Sequence, residues 1–301
     1  MRIIRIGTRA SLLALRQTNL VKETLSKHFP DASFEVVAIK TKADKKENAP
    51  LSSIAGEGVF VKELEEALLS NLVDMAVHSL KDMPLDLPGG LKIAAVLKRD
   101  DARDALVCRQ AKNIDGLAPG SRVGASSLRR QAQIRLHRKD LEPLEIRGNI
   151  DTRLRKLDEG KYDAIIVAAC GLMRLGLNDR ITQRFEMDFM LPEPGQGAIA
   201  IEARAGDSEI LKISEYIDDK ETFFCASAER AFLKALGGGC RVPVGAYAEI
   251  QDKTLALTGA VIALDGSVQV RDKVSGESSN PETVGTLLAE KLQEKGAGEL
   301  L

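Results

Sequence analysis

Residues 191–202 read LPEPGQGAIAIE. Two prolines and two glycines crowd its first half, which suits a crossing segment and not the interior of a helix or central strand. Its second half, AIAIE, is a short apolar run of strand type. A glycine-rich crossover that ends in a strand, two-thirds of the way along a chain, is expected to return the chain to a lobe built much earlier. The fold follows from that return.

On the N-terminal side, short β-rich runs alternate with helical patterns. Strands are predicted at 2–6, 34–39, 75–77 and 92–97. Ser11 caps a helix running to about 27, and an amphipathic helix covers about 60–72. Residues 42–50 (KADKKENAP) are loop-like. The pattern then restarts, with strands at 105–108, 122–124, 144–146 and 164–168. Helices are predicted at 127–137, at 150–159 and around Leu172. Such alternation implies parallel sheets with helices on both faces, hence two α/β lobes facing a cleft. The two halves show no repeat in sequence. On the C-terminal side a helix at 221–236 stops at Gly237-Gly238-Gly239. Strand-like runs at 244–250, 255–263 and 268–274 follow, then a helix at 281–295. This last third reads as a small α+β domain.

The chain has 301 residues, enough for two or three cores. Its net charge of -1 leaves nucleic acid and anionic membrane surfaces without a bulk attraction, so any basic site must be local. Arg2, Arg5 and Arg9 break up the first residues, and no apolar run approaches the ~18 residues of a membrane span. The four cysteines, Cys108, Cys170, Cys225 and Cys240, form no CxxC pair, and with three scattered histidines they show no zinc-ligand spacing. A cytoplasmic protein with free thiols and no metal is expected.

Three features carry chemistry. Arg9, Arg129, Arg130, Arg147 and Arg153 all follow predicted strands. One such arginine is ordinary surface solvation. Five at strand ends, where open sheets bind ligands, suggest a polyanion site. Ser126 and Ser127 lie where a helix begins, and free N–H groups there attract anions. Next, His78, Lys81 and Asp82 follow another strand, which places one carboxylate among positive charge. There it stays ionised, able to stabilise a cation or pass a proton. Finally, Cys240 follows three glycines past a helix end. That arrangement presents a thiol on an uncrowded loop, whereas Cys108, Cys170 and Cys225 sit in strand or helix contexts.

Seven segments in order resemble the signatures of porphobilinogen deaminases: IGTRASLLAL (6–15), GVFVKELEEAL (58–68), VHSLKDMP (77–84), GASSLRRQAQ (124–133), IRGNIDTRLRKLD (146–158), PGQGAIAIE (194–202) and GGGCRVPVGAYAE (237–249). The resemblance implies an α/β fold of two lobes like periplasmic binding proteins, plus a smaller α+β domain. Domain 1 would hold 1–98 and about 197–215, domain 2 would hold 99–196, and domain 3 would hold 216–301. It implies a dipyrromethane primer in thioether linkage at Cys240, on which four porphobilinogens condense with loss of ammonia before hydrolysis frees hydroxymethylbilane. It makes Asp82 the catalytic aspartate. Lys81, Ser127, Arg129 and Arg130 would hold the primer, and Arg9, Ser11, Phe60, Arg147, Arg153 and Arg174 would bind substrate. Each pyrrole carries two carboxylates, which accounts for a cationic site in a protein of near-zero net charge. The expected partners are porphobilinogen and polypyrrole intermediates, with no nucleic acid or membrane, and the expected state is a monomer. The rival reading is a non-catalytic two-lobe binding protein for a small anion, which would have no use for the thiol of Cys240. Ser53 and Glu57 stand where the family's loop usually has lysines, Ala125 where it has threonine, and Arg241 where it has glutamine. The loop at 42–58 is expected to act as a mobile lid.

Overall fold

The first strand, β1 (Ile3–Arg9), buries Ile4 and Ile6 on one side. Gly7 faces the other way, where a Cβ would meet Val73 at 3.0 Å and Leu64 at 3.2 Å. That alternation of bulk and close approach makes β1 a central strand covered on both faces. It belongs to a computed structural model that describes residues 3–41, 61–238 and 242–301. The lid expected at 42–58, with Ser53, Glu57, Phe60, Cys240 and Arg241, lies outside the described residues.

The chain divides into two compact units. One holds the described residues up to Asp100 together with Ala198–Phe223, and the other holds Asp101–Gly197 and Phe224–Leu301. In the first, β1 pairs in parallel with β2 (Ser33–Ile39) and β3 (Met75–Ser79). The sheet continues through β10 (Ile199–Arg204) to β4 (Leu91–Val96), in the order β2-β1-β3-β10-β4. The crossover at 191–202 therefore does end in a strand of the first sheet. That strand runs antiparallel to both neighbours, so the sheet is mixed and not parallel as expected. The reversal follows from its origin: β10 enters straight from a crossing segment, with no helical connection to turn it around. Helices α1 (Leu12–His28) and α6 (Ser208–Glu215) cover one face through Val21, Leu25, Ile210 and Ile213. Helix α2 (Lys62–Leu69) covers the other through Leu64 and Leu68. Each such buried side chain contributes about 1.5–3 kcal/mol.

The second unit contains two sheets. One has the order β7-β6-β8-β5-β9, from β5 (Asp104–Cys108), β6 (Arg122–Gly124), β7 (Glu142–Leu144), β8 (Ala164–Ala168) and β9 (Gln183–Arg184). Strands β6, β7 and β8 are parallel, and β5 is reversed. Helix α3 (Leu128–His137) packs on one face through Ile134. Helices α4 (Ile150–Asp158) and α5 (Ala169–Arg174) pack on the other through Leu154, Leu157 and Leu172. The third sheet is antiparallel, β11 (Val244–Gln251), β12 (Thr254–Ile262) and β13 (Gln269–Glu277). It is backed by α8 (Pro281–Glu294) and by α7 (Lys220–Ala235), whose first turn falls in the first unit. No helix among the described residues is long and apolar enough to cross a membrane.

Candidate active site

In the first unit the candidate residues gather past the carboxyl ends of β1 and β3, which lie side by side. Arg9 ends β1. Ser11 is the N-cap of α1, and its hydroxyl accepts from the Ala14 N–H at 3.4 Å. After β3 the chain makes one 3-10 turn, Leu80–Asp82. The backbone N–H of Leu80 donates to the Ala198 carbonyl at 3.0 Å, and that of Met83 donates to the Leu80 carbonyl at 3.1 Å. Leu80 and Met83 are buried, so their side chains anchor the turn. Between them in sequence Lys81 and Asp82 are half-buried. The turn is thus held by apolar anchors at both sides and by the bond to Ala198, the residue before β10. Ser79 is tied to α1 by Gln17, whose Nε2 donates to its hydroxyl at 3.0 Å.

His78, which the sequence grouped with Lys81 and Asp82 after a strand, lies within β3 and is buried there. His78 Nε2 is 3.0 Å from Glu202 Oε2, and both side chains are buried. The register pairs His78 with Ala200 and Ala76 with Glu202, so His78 and Glu202 are diagonal neighbours on one face of the sheet. Glu65 on α2 approaches the same pair. Burial, and then the charge of Glu202, push its carboxyl above the ordinary range.

In the second unit the candidates again lie past the carboxyl ends of parallel strands. Ser126, after β6, donates its hydroxyl to the Ile146 carbonyl at 2.7 Å. This bond pulls the chain out of the sheet after Leu144, so β7 is Glu142–Leu144 where the sequence suggested 144–146. Ser127 is the N-cap of α3 and makes no side-chain cap bond. Arg129 and Arg130, in the first turn of α3, are 2% and 4% exposed. Both reach Asp104 at the start of β5, which is fully buried. Arg130 donates to Asp104 Oδ1 through Nε at 3.0 Å and Nη2 at 2.7 Å. Arg129 donates to Oδ2 through Nη1 at 2.7 Å, and the same Nη1 reaches the Leu191 carbonyl. Gln196 completes the cluster, its Nε2 donating to Asp104 Oδ1 at 3.0 Å and to the Ala102 carbonyl at 2.7 Å. Burial alone would raise the Asp104 carboxyl, but the two guanidinium groups outweigh it and hold it well below the ordinary range.

Arg147 pairs with Glu145 through Nε at 2.7 Å. Arg153, in the first turn of α4, donates from Nε to the Gly148 carbonyl at 2.7 Å. Gly148 has φ +104°, and a Cβ there would meet Thr152 at 2.5 Å, so the bend that presents Arg147 and Arg153 requires glycine. Arg174 ends α5 and donates to the Gly197 carbonyl at 2.6 Å. The structure therefore brings Arg9, Ser11, Lys81 and Asp82 together in one unit. In the other it brings Ser127, Arg129 and Arg130 onto one helix start, with Arg147 and Arg153 on the neighbouring loop and helix. Asp104 and Gln196 were not singled out by sequence. Asp104 closes the charged run KRDDARD (98–104), in which nothing marks one carboxylate as buried. Among the described residues no group of three His, Cys, Asp or Glu side chains is arranged to hold a metal.

Basic side chains past the carboxyl ends of parallel strands in each of two five-stranded sheets define a class: an α/β protein with charged residues gathered at its strand ends. Comparison with known proteins narrows that class. A family model described as the dipyromethane cofactor binding domain of porphobilinogen deaminase matches residues 4–212, and the model for that enzyme's C-terminal domain matches 223–294. The porphobilinogen deaminase of Roseiflexus castenholzii is 48% identical over 296 residues, 98% of this chain and 97% of that protein. The Nostoc protein of the same name is 47% identical, over 100% of this chain and 94% of its own length. The chain belongs to the porphobilinogen deaminase family, a family of transferases with a dipyrromethane cofactor-binding domain. Among solved structures it is similar to the methionine-binding protein MetQ, at 14% identity and a TM-score of 0.47 over 76% of this chain and 94% of that one. It is also similar to the periplasmic VFT2 domain of Bordetella pertussis BvgS, at 15% identity and a TM-score of 0.44 over 71% and 86%.

Proposed function

We infer that this chain condenses four porphobilinogen molecules head to tail on a covalently held dipyrromethane primer, releasing ammonia at each addition and hydroxymethylbilane by hydrolysis at the end. The observation that carries this reading is the match of both family models, which together span almost the whole chain. The fit of the cofactor is supported by Arg129, whose Nε and Nη2 are buried and have no hydrogen-bond partner among the described residues. A carboxylate-bearing group is what such an edge accepts. When bound through Cys240, the dipyrromethane supplies the pyrrole carbon to which the first new unit is joined.

The chain's own residues do the rest. Asp82, fixed past β3 by Leu80 and Met83, accepts hydrogen bonds from pyrrole N–H groups and lowers the cost of the positive charge that develops as ammonia leaves. Lys81, Ser127, Arg129 and Arg130 hold the primer. Arg9, Ser11, Arg147, Arg153 and Arg174 hold substrate carboxylates, where guanidinium forks suit them better than lysine would, and Phe60 packs near the substrate ring. A three-domain division, with boundaries near 98, 196 and 215, is supported by three sheets that each have an apolar core. We read it as a cytoplasmic monomer acting on small molecules, and its near-neutral charge provides no bulk attraction to nucleic acid or anionic membranes.

Intact mass tests the reading. Purified protein should exceed its sequence mass by one dipyrrole and colour with acid Ehrlich reagent. Cys240→Ser should lose both signals, while Cys225→Ser keeps them. An unmodified mass in active protein would sink the assignment.

A further inference from the structure

Arg129 and Arg130 are neighbours in sequence, equally buried, and bonded to one carboxylate, yet they use it differently. Arg130 turns its Nε–Nη2 edge onto Asp104 Oδ1. Arg129 gives Asp104 only its Nη1, and its own Nε–Nη2 edge has no partner among the described residues. An unpaired buried donor costs about 1–3 kcal/mol, and here there are two on one planar edge. An unliganded protein gains nothing from such an arrangement. The charge count agrees. Asp104 serves two guanidinium groups with a single negative charge, and although Glu193 adds charge towards Arg130, it supplies no hydrogen bond to Arg129.

We propose that Asp104 is a positioning residue: by taking the side edge of Arg130 and only one nitrogen of Arg129, it holds the Nε–Nη2 edge of Arg129 open for a carboxylate of the bound pyrrole chain. The orientation is fixed from three further sides. Leu191 O accepts from the same Nη1 of Arg129 at 2.5 Å. Gln133 holds Leu191 in both directions, its Oε1 accepting from the Leu191 N–H at 2.8 Å and its Nε2 donating to the carbonyl at 3.1 Å. Gln196 fills the lone pairs of Oδ1 that Arg130 leaves. Without Asp104, Arg129 would be free to turn its side edge towards the Leu191 carbonyl or towards Gln133, and the edge offered to the ligand would be lost. Asp104 touches no ligand itself. This assignment rests on the cofactor reading given above.

The test uses the full chain, freed of primer and then titrated with porphobilinogen, with primer acquisition followed by intact mass. Asp104→Asn keeps the shape and removes the charge. Its half-loading concentration should rise about 10- to 100-fold, as expected when a charge-assisted contact is lost. Asp104→Glu keeps the charge and should recover part of that loss. Its melting temperature, measured alongside, should stay near that of wild type. If Asp104→Asn fails to fold, the charge-preserving Asp104→Glu carries the test alone, because it should fold and still load more weakly than wild type. Loading of a folded variant at the wild-type concentration would overturn the role of Asp104. Failure of the wild-type chain to gain any dipyrrole mass would instead overturn the cofactor reading beneath it.

Discussion

Asp82 owes its place to residues that do no chemistry. Leu80 and Met83 bury their side chains, the Leu80 N–H bonds to Ala198, and the aspartate is carried between them. Asp82→Asn alters none of these anchors, so the variant should fold and bind porphobilinogen. Its single-turnover release of ammonia should fall roughly 10²–10⁴-fold, the usual worth of a positioned electrostatic or acid–base group. Near-normal release by fully primed Asp82→Asn would show that another group manages the charge. Glu65 makes a second prediction at this scale. Its carboxyl is raised by burial and by Glu202, with Glu66 adding to the shift and His78 and Lys62 opposing it. A raised folded-state value means the folded protein holds a proton that the unfolded chain releases. Stability is therefore full below the unfolded value of about 4.3 and falls as pH rises through the folded value. Glu65→Gln should remove that loss. Its urea midpoint should exceed wild type at pH 8 and match it near pH 4, and an unchanged difference between the two would disprove the linkage. The turn that carries Asp82 was legible in sequence because a strand and a proline bracket it. Asp104 was not, because burial is decided by what packs around β5 and five charged neighbours in sequence disguise it.

At the scale of elements, local chemistry spoke clearly where one residue has one task. Ser11 starts α1 and Pro281 starts α8, as their capping positions require. Where a long-range bond decides, sequence could not speak: the Ser126–Ile146 bond ends β7 early. Strand direction was hidden for a similar reason, since apolar content is the same whichever way a strand runs. The packing of α7 on α8 gives a prediction of this kind. Gly285 lies inside α8, where alanine is ordinarily better by about 0.5–1 kcal/mol. Here a Cβ would collide with the Ala228 carbonyl and stand 2.7 Å from both Ala231 Cβ and Phe232 N. The backbone of α7 cannot yield as a side-chain tip can. Gly285→Ala should thus destabilise by about 1–3 kcal/mol, read from the denaturant midpoint at constant m-value. A stabilised variant would mean that the helices are free to separate.

For the whole molecule, the two five-stranded sheets turn out to share one plan that no sequence repeat announced. Each runs second, first and third parallel strands, then a reversed strand, then a fourth: β2-β1-β3-β10-β4 and β7-β6-β8-β5-β9. The sequence conceals it because the reversed strands come from different places in the chain. Strand β5 precedes the parallel strands of its sheet, whereas β10 arrives after all of those in the first unit. This late arrival has a consequence for how the protein is made. When a ribosome has finished β4, the first sheet has four of its strands but lacks the one between β3 and β4. The edge of β3 that ends in the Asp82 turn stays unpaired until residues 199–204 emerge, and α6 follows still later. Synthesis at about 5–20 residues per second leaves that edge open for several seconds, a template for pairing with another chain. The first unit to be translated is therefore not the first able to finish folding, and the ledge that carries Asp82 is completed only after the second five-stranded sheet, with the helix bearing Arg129 and Arg130, has been entirely translated.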